Sequence, residues 1–225
     1  MHCTKIHFLS ITRNLFLLSL LTFQLLNGVY SSFSEQGKQD IVEQHNKIRS
    51  QVALGNFVTK RHTKRPAGSN IRKFIWNNTL EKSANAYAQA NPSTHSSIHD
   101  IGENLFWHWS TRPGDFNRFG SMAAESWIKE FQENDWDSNI FTNALFGSGV
   151  GHATQMVWAD TFQIGCAVTD FKEIHKKTGR SVTKICVVCH YWPKGNFLNE
   201  PIYLEGPPCS ECESKKCDRE SGLCV

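Results

Sequence analysis

Several absences bound the reading of this 225-residue chain before any motif is considered. Charge of one sign is missing. Lys and Arg total 24 against 21 Asp and Glu, a net charge of +3, which excludes a protein that holds nucleic acid by bulk electrostatics. No apolar run approaches the ~20 residues that a membrane-spanning helix needs. There are no internal repeats and no low-complexity segments. Neither HExxH nor GxSxG occurs, so no local signature of a zinc protease or a serine-hydrolase elbow is present. Apart from Cys3, cysteine is absent before Cys166, so cross-links belong to the last 60 residues.

What is present suits a folded, exported chain. Hydrophobic residues make up 40% and charged residues 20%, ordinary for a globular protein and wrong for a disordered one. Seven Trp and fifteen Phe supply bulk for a core. Lys5 and Arg13 are the only charges in the first 34 residues, and LFLLSLLTFQLL follows from Leu15 to Leu26. A basic start, a short apolar run and then Gly28, Ser31 and Ser32 predict a secretory leader over 1–31, cut between Gly28 and Ser32. The expected product is extracellular, without a transmembrane anchor. It carries 22 basic and 21 acidic residues once Lys5 and Arg13 leave.

Export permits disulfides. Seven cysteines survive the leader: Cys166, Cys186, Cys189, Cys209, Cys212, Cys217 and Cys224. The tail over 205–225 has no apolar run of its own, so two cross-links are expected to hold it. An odd count leaves one thiol free or joined to another chain. The two CxxC pairs, Cys186 with Cys189 and Cys209 with Cys212, also fit the spacing of a four-cysteine zinc site.

Residues 36–55 read as a helix, with Ile41, Ile48 and Val52 at helical spacing and Gly55 where it stops. The basic stretch 56–74 reads as a loop. Asn78 followed by Glu81 resembles a capping box, opening a helix with Leu80, Ala84, Tyr87 and Ala88 inward. A third helix is expected near Ser121, burying Ala124, Trp127, Ile128 and Phe131. Segments 162–168 and 184–192 read as strands, joined by a polar hairpin connection over 169–181. Helices followed by strands predict an α+β layered fold. Asn77-Asn78-Thr79 is the usable glycosylation sequon, placing a glycan on Asn77.

His95, Glu103, Glu130 and His152 stand in segments that read as ordered, and two imidazoles with two carboxylates would suit a metal site or an acid/base pair. Spacing alone does not bring them together. The stretches HNKIRS, GENLF, GHATQMVW and CVVCHYWPKGNFLNE, in this order, resemble the family of cysteine-rich secretory proteins, wasp antigen-five allergens and plant pathogenesis-related class-one proteins, the CAP superfamily. The resemblance covers about 38–204. The tail CSEC…C…GLC looks most like the venom-allergen-like, activation-associated secreted proteins of nematodes.

The resemblance implies a CAP domain over 36–204 and a cysteine-rich tail over 205–225. It implies a three-layer α-β-α sandwich with a central antiparallel sheet. It implies a cleft tetrad of His95, Glu103, Glu130 and His152, with His99 a rival for the first position, and a divalent ion, often zinc, held by His95 and His152. It implies disulfides Cys166–Cys189, Cys209–Cys217 and Cys212–Cys224, leaving Cys186 as the free thiol. Many relatives carry a cysteine near Asn91, where this chain has none. Three functions follow as expectations. The first is a secreted parasite effector that binds host extracellular proteins, proteases or receptors of defence, and modulates host immunity. The second is a sterol or fatty-acid carrier, with Trp136, Phe141 and Phe146 as candidate groove residues if they form an exposed cluster. The third is a hydrolase, metal-dependent or built on Ser96, His95 and Glu103. Adjacent residues of an extended chain point to opposite sides, which places Ser96 poorly for His95 and leans against an enzyme.

Overall fold

Ser34 accepts a hydrogen bond from the Gly37 amide and opens the first helix, α1 (Glu35–Ala53), in a computed structural model that describes residues 32–225. The expected leader over 1–31, with its cleavage between Gly28 and Ser32, lies outside the described residues. Ile41, His45, Ile48, Arg49 and Val52 form the buried stripe of α1, and Gly55 turns the chain away at φ +67°. Short β1 (Ile75–Trp76) leads into α2 (Asn78–Gln89). The cap of α2 is Asn77, not Asn78. The Asn77 amide donates to Ile164 O at 2.8 Å, which keeps Asn77 extended as the last residue before the helix. Its side chain then takes the Thr79 and Leu80 amides. Glu81 closes no box; it accepts from Trp76 Nε1 and pairs with Lys38. Leu80, Ala84 and Ala88 are buried, and Tyr87 is half-buried.

Next come β2 (Gly102–Ser110), α3 (Asn117–Ile128), α4 (Glu130–Glu133), α5 (Asn143–Gly147) and α6 (Gly151–Val157). The third expected helix begins four residues ahead of Ser121 and breaks at Lys129, with Phe131 buried on α4. The strands β3 (Gln163–Ile174) and β4 (Ser181–Trp192) are longer than the sequence suggested. Their pairing runs from Gln163↔Trp192 to Ile174↔Ser181, so most of the expected connection is ribbon. It reads as loop because its outer residues face water.

The sheet has the order β1-β3-β4-β2. The three long strands are antiparallel, as expected; β1 adds a two-residue parallel pairing at one edge and makes the sheet mixed. One face packs Leu105, Ala167, Cys186 and Val188 against Ala84 and Ala88 of α2. The other packs Ile164, Val168, Ile185, Val187 and Tyr191 against α1, α3 and α6. These are the three layers. Gly165 permits the α2 layer: a Cβ there would lie 2.2 Å from the Glu81 nitrogen.

Arg49 is fully buried, and among the described residues no carboxylate pairs with it. Its guanidinium donates to the carbonyls of Arg72, Met156, Trp158, Ala159 and Thr161, satisfying chain ends that α6 and the following loop leave open.

Disulfides join Cys166–Cys189, Cys209–Cys217 and Cys212–Cys224, and Cys186 is a buried free thiol. The four-cysteine zinc alternative is therefore not realised, because three of its four sulfurs are cross-linked. The tail carries β5 (Cys217–Asp218) and β6 (Leu223–Cys224). It is stitched to the body: Cys224 N donates to Ile71 O, Lys73 N to Cys224 O, and Leu223 lies in the main core.

The groove residues need correction. Trp136 stacks on Phe131 with centroids 4.1 Å apart and is 2% exposed, and Phe141 packs edge-on against Trp158. Both belong to the core, where large aromatic area is most stabilising. Phe146 alone of the three is exposed, at 58%. The expected exposed cluster does not form.

Candidate functional site: a carboxylate-braced cleft

The register of β2 on β4 sets Glu103 opposite His190. Glu103 Oε1 accepts from His95 Nδ1 at 2.8 Å and from the Ser96 amide at 2.9 Å; Oε2 accepts from His190 Nε2 at 3.0 Å. The carboxylate side chain is 6% exposed. Burial works against its ionisation, but the bonds from His190, His95 and Ser96 outweigh that and hold it well below the usual carboxylate range. The break between α3 and α4 sets Glu130 beside α6, a helix with no side-chain cap of its own. Glu130 Oε2 takes the free amides of His152 and Ala153, each at 3.0 Å, and Oε1 accepts from His152 Nδ1 at 2.5 Å.

The two histidines are therefore braced alike. A carboxylate accepts only, so each Nδ1 carries a proton, and in its neutral form each ring leaves Nε2 as a lone pair. The rings lie 6.1 Å apart, and Trp127 stacks on His152. They share an open cleft of about 280 Å³ with Asn104, Phe146 and Asn196. The structure thus gathers all four expected residues. His99 is exposed, lies outside that lining, and uses its carbonyl for Lys194.

Ser96 stands on the wrong side for a triad. Its amide donates to Glu103, and no described hydrogen bond joins Ser96 Oγ to His95.

Carboxylate-braced imidazoles are a common outer arrangement for metal-binding histidines. Two imidazoles on one zinc would hold their centroids roughly 5 Å apart, so 6.1 Å asks for a small closing of the rings. Among the described residues, no group of three or more His, Cys, Asp or Glu is arranged to hold a metal. The donor set fits two-histidine ligation and not a closed structural zinc site.

Sequence reasoning missed the groups behind the cleft. Fully buried His190 holds Glu103 and is itself tied to Ser83 Oγ at 3.0 Å. His45 Nδ1 donates to Ile41 O, so its Nε2 accepts the Tyr191 hydroxyl proton at 3.1 Å. Asn104 Nδ2 then donates to Tyr191 Oη and to His152 O. Burial is the main force pushing the His45 ring down to about 4. A signal was available: HNKIR sets His45 and Arg49 on the same stripe as Ile41 and Ile48, and polar groups on an apolar stripe need buried partners.

Known proteins share this fold. The wasp Venom allergen 5 of Polistes dominula is 32% identical over 180 residues, covering 76% of this chain and 74% of the relative. The Ancylostoma secreted protein of Ancylostoma caninum is 31% identical over 188 residues, 80% of this chain but only 42% of the longer relative. The solved structure of BmVAL-1 matches with a TM-score of 0.75 and 34% identity, over 88% of this chain and 97% of that one. NaASP2, solved with Zn2+, matches with a TM-score of 0.73 and 34% identity, over 86% and 97%. Residues 42–191 match the model of the cysteine-rich secretory protein family, a span that contains the whole tetrad and the buried groups behind it. With that match and those relatives in agreement, the chain is a member of the cysteine-rich secretory protein (CAP) family, of the venom-allergen-like kind.

Proposed function

We propose that the chain is a secreted extracellular recognition protein whose braced cleft receives a segment of a host extracellular protein, a protease or receptor of defence, and so modulates host immunity. The observation that carries this reading is a cleft whose shape is fixed by hydrogen bonds and in which no described hydrogen bond links a nucleophile to a base. Both carboxylates and both Nδ1 atoms are used in holding the cleft, and no described hydrogen bond links Ser96 Oγ to His95. A hydrolase needs an activated nucleophile; a binding site needs a fixed shape and an exposed apolar anchor, here Phe146 at the rim. Relatives from venom, saliva and secretions support an extracellular setting. Among the described residues no helix is long and apolar enough to cross a membrane.

A divalent ion such as zinc would be held by His95 and His152 through Nε2 and would supply Lewis acidity; the chain's own part is to fix both rings through Glu103 and Glu130. A sterol or fatty acid is the second reading. With Trp136 and Phe141 in the core, support for it moves to a groove of about 360 Å³ between α1 and α3, flanked by Ile48, Phe57 and Ile128.

The test is affinity capture of host extracellular proteins on the secreted chain, followed by titration of the purified partner. Saturable binding that weakens at least tenfold in Phe146→Ser and persists in Lys82→Ser is expected. A partner bound equally by both variants, or no saturable partner at all, contradicts the cleft reading. Retention of radiolabelled fatty acid that Ile128→Lys abolishes would favour the second reading.

A further inference from the structure

The β3–β4 ribbon carries a concentration of positive charge, and among the described residues the cations at its tip have no ion-pair partner. The 14 residues from Phe171 to Lys184 hold Lys172, Lys176, Lys177, Arg180 and Lys184 against the single acid Glu173, a net +4. The entire chain nets +3, so the other 211 residues sum to −1. Cations are thus gathered at one place on an otherwise balanced molecule.

The geometry isolates them. The last pairing of β2 with β4 is Ser110↔Thr183, while β3 and β4 stay paired out to Ile174↔Ser181 and turn through His175–Gly179. The ribbon therefore runs past its third strand into solvent, and every residue from Ile174 to Ser181 is exposed. Lys184 is occupied by Asn91 and Glu173, and Lys172 by Thr183. Among the described residues no carboxylate lies within ion-pair distance of Lys176, Lys177 or Arg180. Like charges gathered on one turn repel and add nothing to a two-stranded ribbon that is already marginal by itself. The tip also lies away from the cleft. Glu103 and Ser110 mark opposite ends of β2, about 23 Å apart at strand spacing.

We propose that this ribbon tip is a second binding surface, for a linear sulfated polysaccharide. An exported chain meets dense anionic charge chiefly as sulfated glycan, and neighbouring cations at the tip suit successive sulfates on one chain. The tip lacks the broad apolar face with which an interfacial segment enters a membrane: Ile174 and Trp109, the exposed apolar residues nearby, sit on opposite faces of the sheet.

The experiment uses the full secreted chain with heparin as probe, measured by calorimetry from 50 to 300 mM NaCl. Binding should weaken steeply with salt, and the triple variant Lys176→Ser, Lys177→Ser, Arg180→Ser should lose at least tenfold in affinity and most of the salt slope. Its circular dichroism and thermal midpoint should match the parent, since among the described residues the three exposed side chains make no ion pair. A His95→Ala, His152→Ala variant should bind heparin like the parent. Absence of heparin binding at 50 mM salt, equal binding by the triple variant, loss confined to the cleft variant, or binding to phosphatidylserine vesicles without binding to heparin would each overturn the proposal. None of these results bears on whether the cleft captures a protein.

Discussion

Two buried residues of α1 decide how the molecule responds to acid and to substitution. His45 is fully buried and neutral, its ring pushed down to about 4 by burial. Unfolded, the ring titrates near 6.5, so between pH 6.5 and 4 the unfolded chain binds the extra proton and stability falls as pH falls. The loss should reach roughly 3 kcal/mol by pH 4. Urea unfolding across this window should show that slope, and His45→Asn should flatten it whatever it does to stability at pH 7. Glu103 acts lower: its folded carboxyl is depressed, so its contribution is complete above the usual carboxylate range and drains away only below about pH 4.5. Arg49 is the second control point. Arg49→Met fits the space but takes a donor from five carbonyls, of which Ala159 O keeps the Arg72 amide, and a loss of at least about 3 kcal/mol is expected in the same urea measurement. Neither role can be seen in composition. Each depends on distant backbone that only the fold brings near.

Among the elements, legibility followed periodicity. The stripe of α1 repeats long enough to be read, and Gly55 ends it where expected. The start of α2 was misplaced by one residue, because Asn77 and Asn78 are equally good caps in isolation and a bond to Ile164 chooses between them. Asn77→Ala should cost about 1 kcal/mol in chemical denaturation, and Asn78→Ala much less. β2 escaped notice because its aromatics fall on both faces, where Trp107 faces α2 and Phe106 the other layer. α5 and α6 are too short to show a period. Cys186 illustrates the consequence of its strand position. It is buried under α2, and burial pushes its thiol up to about 11. Ellman's reagent should find no reactive thiol in the native protein and one after unfolding. A reactive native thiol would mean that α2 opens readily.

For the whole molecule, the cleft exists because three layers and a stitched tail hold distant segments in place. Four motifs in order were enough to name its four residues by resemblance, yet spacing alone could not gather them: His95 comes from the loop after α2, Glu103 from β2, Glu130 from α4 and His152 from α6. The deeper ring of His190, Tyr191, Asn104 and His45 stayed hidden because each is defined by cross-strand register and by α1 packing beneath the sheet. The braced cleft requires both histidines to be held through Nδ1, which leaves Nε2 of each neutral ring open for a ligand. Long-range ¹H–¹⁵N correlation spectra of the neutral rings test this directly. His95 and His152 should both appear as the Nδ1–H tautomer, and Glu130→Gln should alter His152 while sparing His95. Rings that exchange between tautomers, or that carry their proton on Nε2, would contradict the braced cleft.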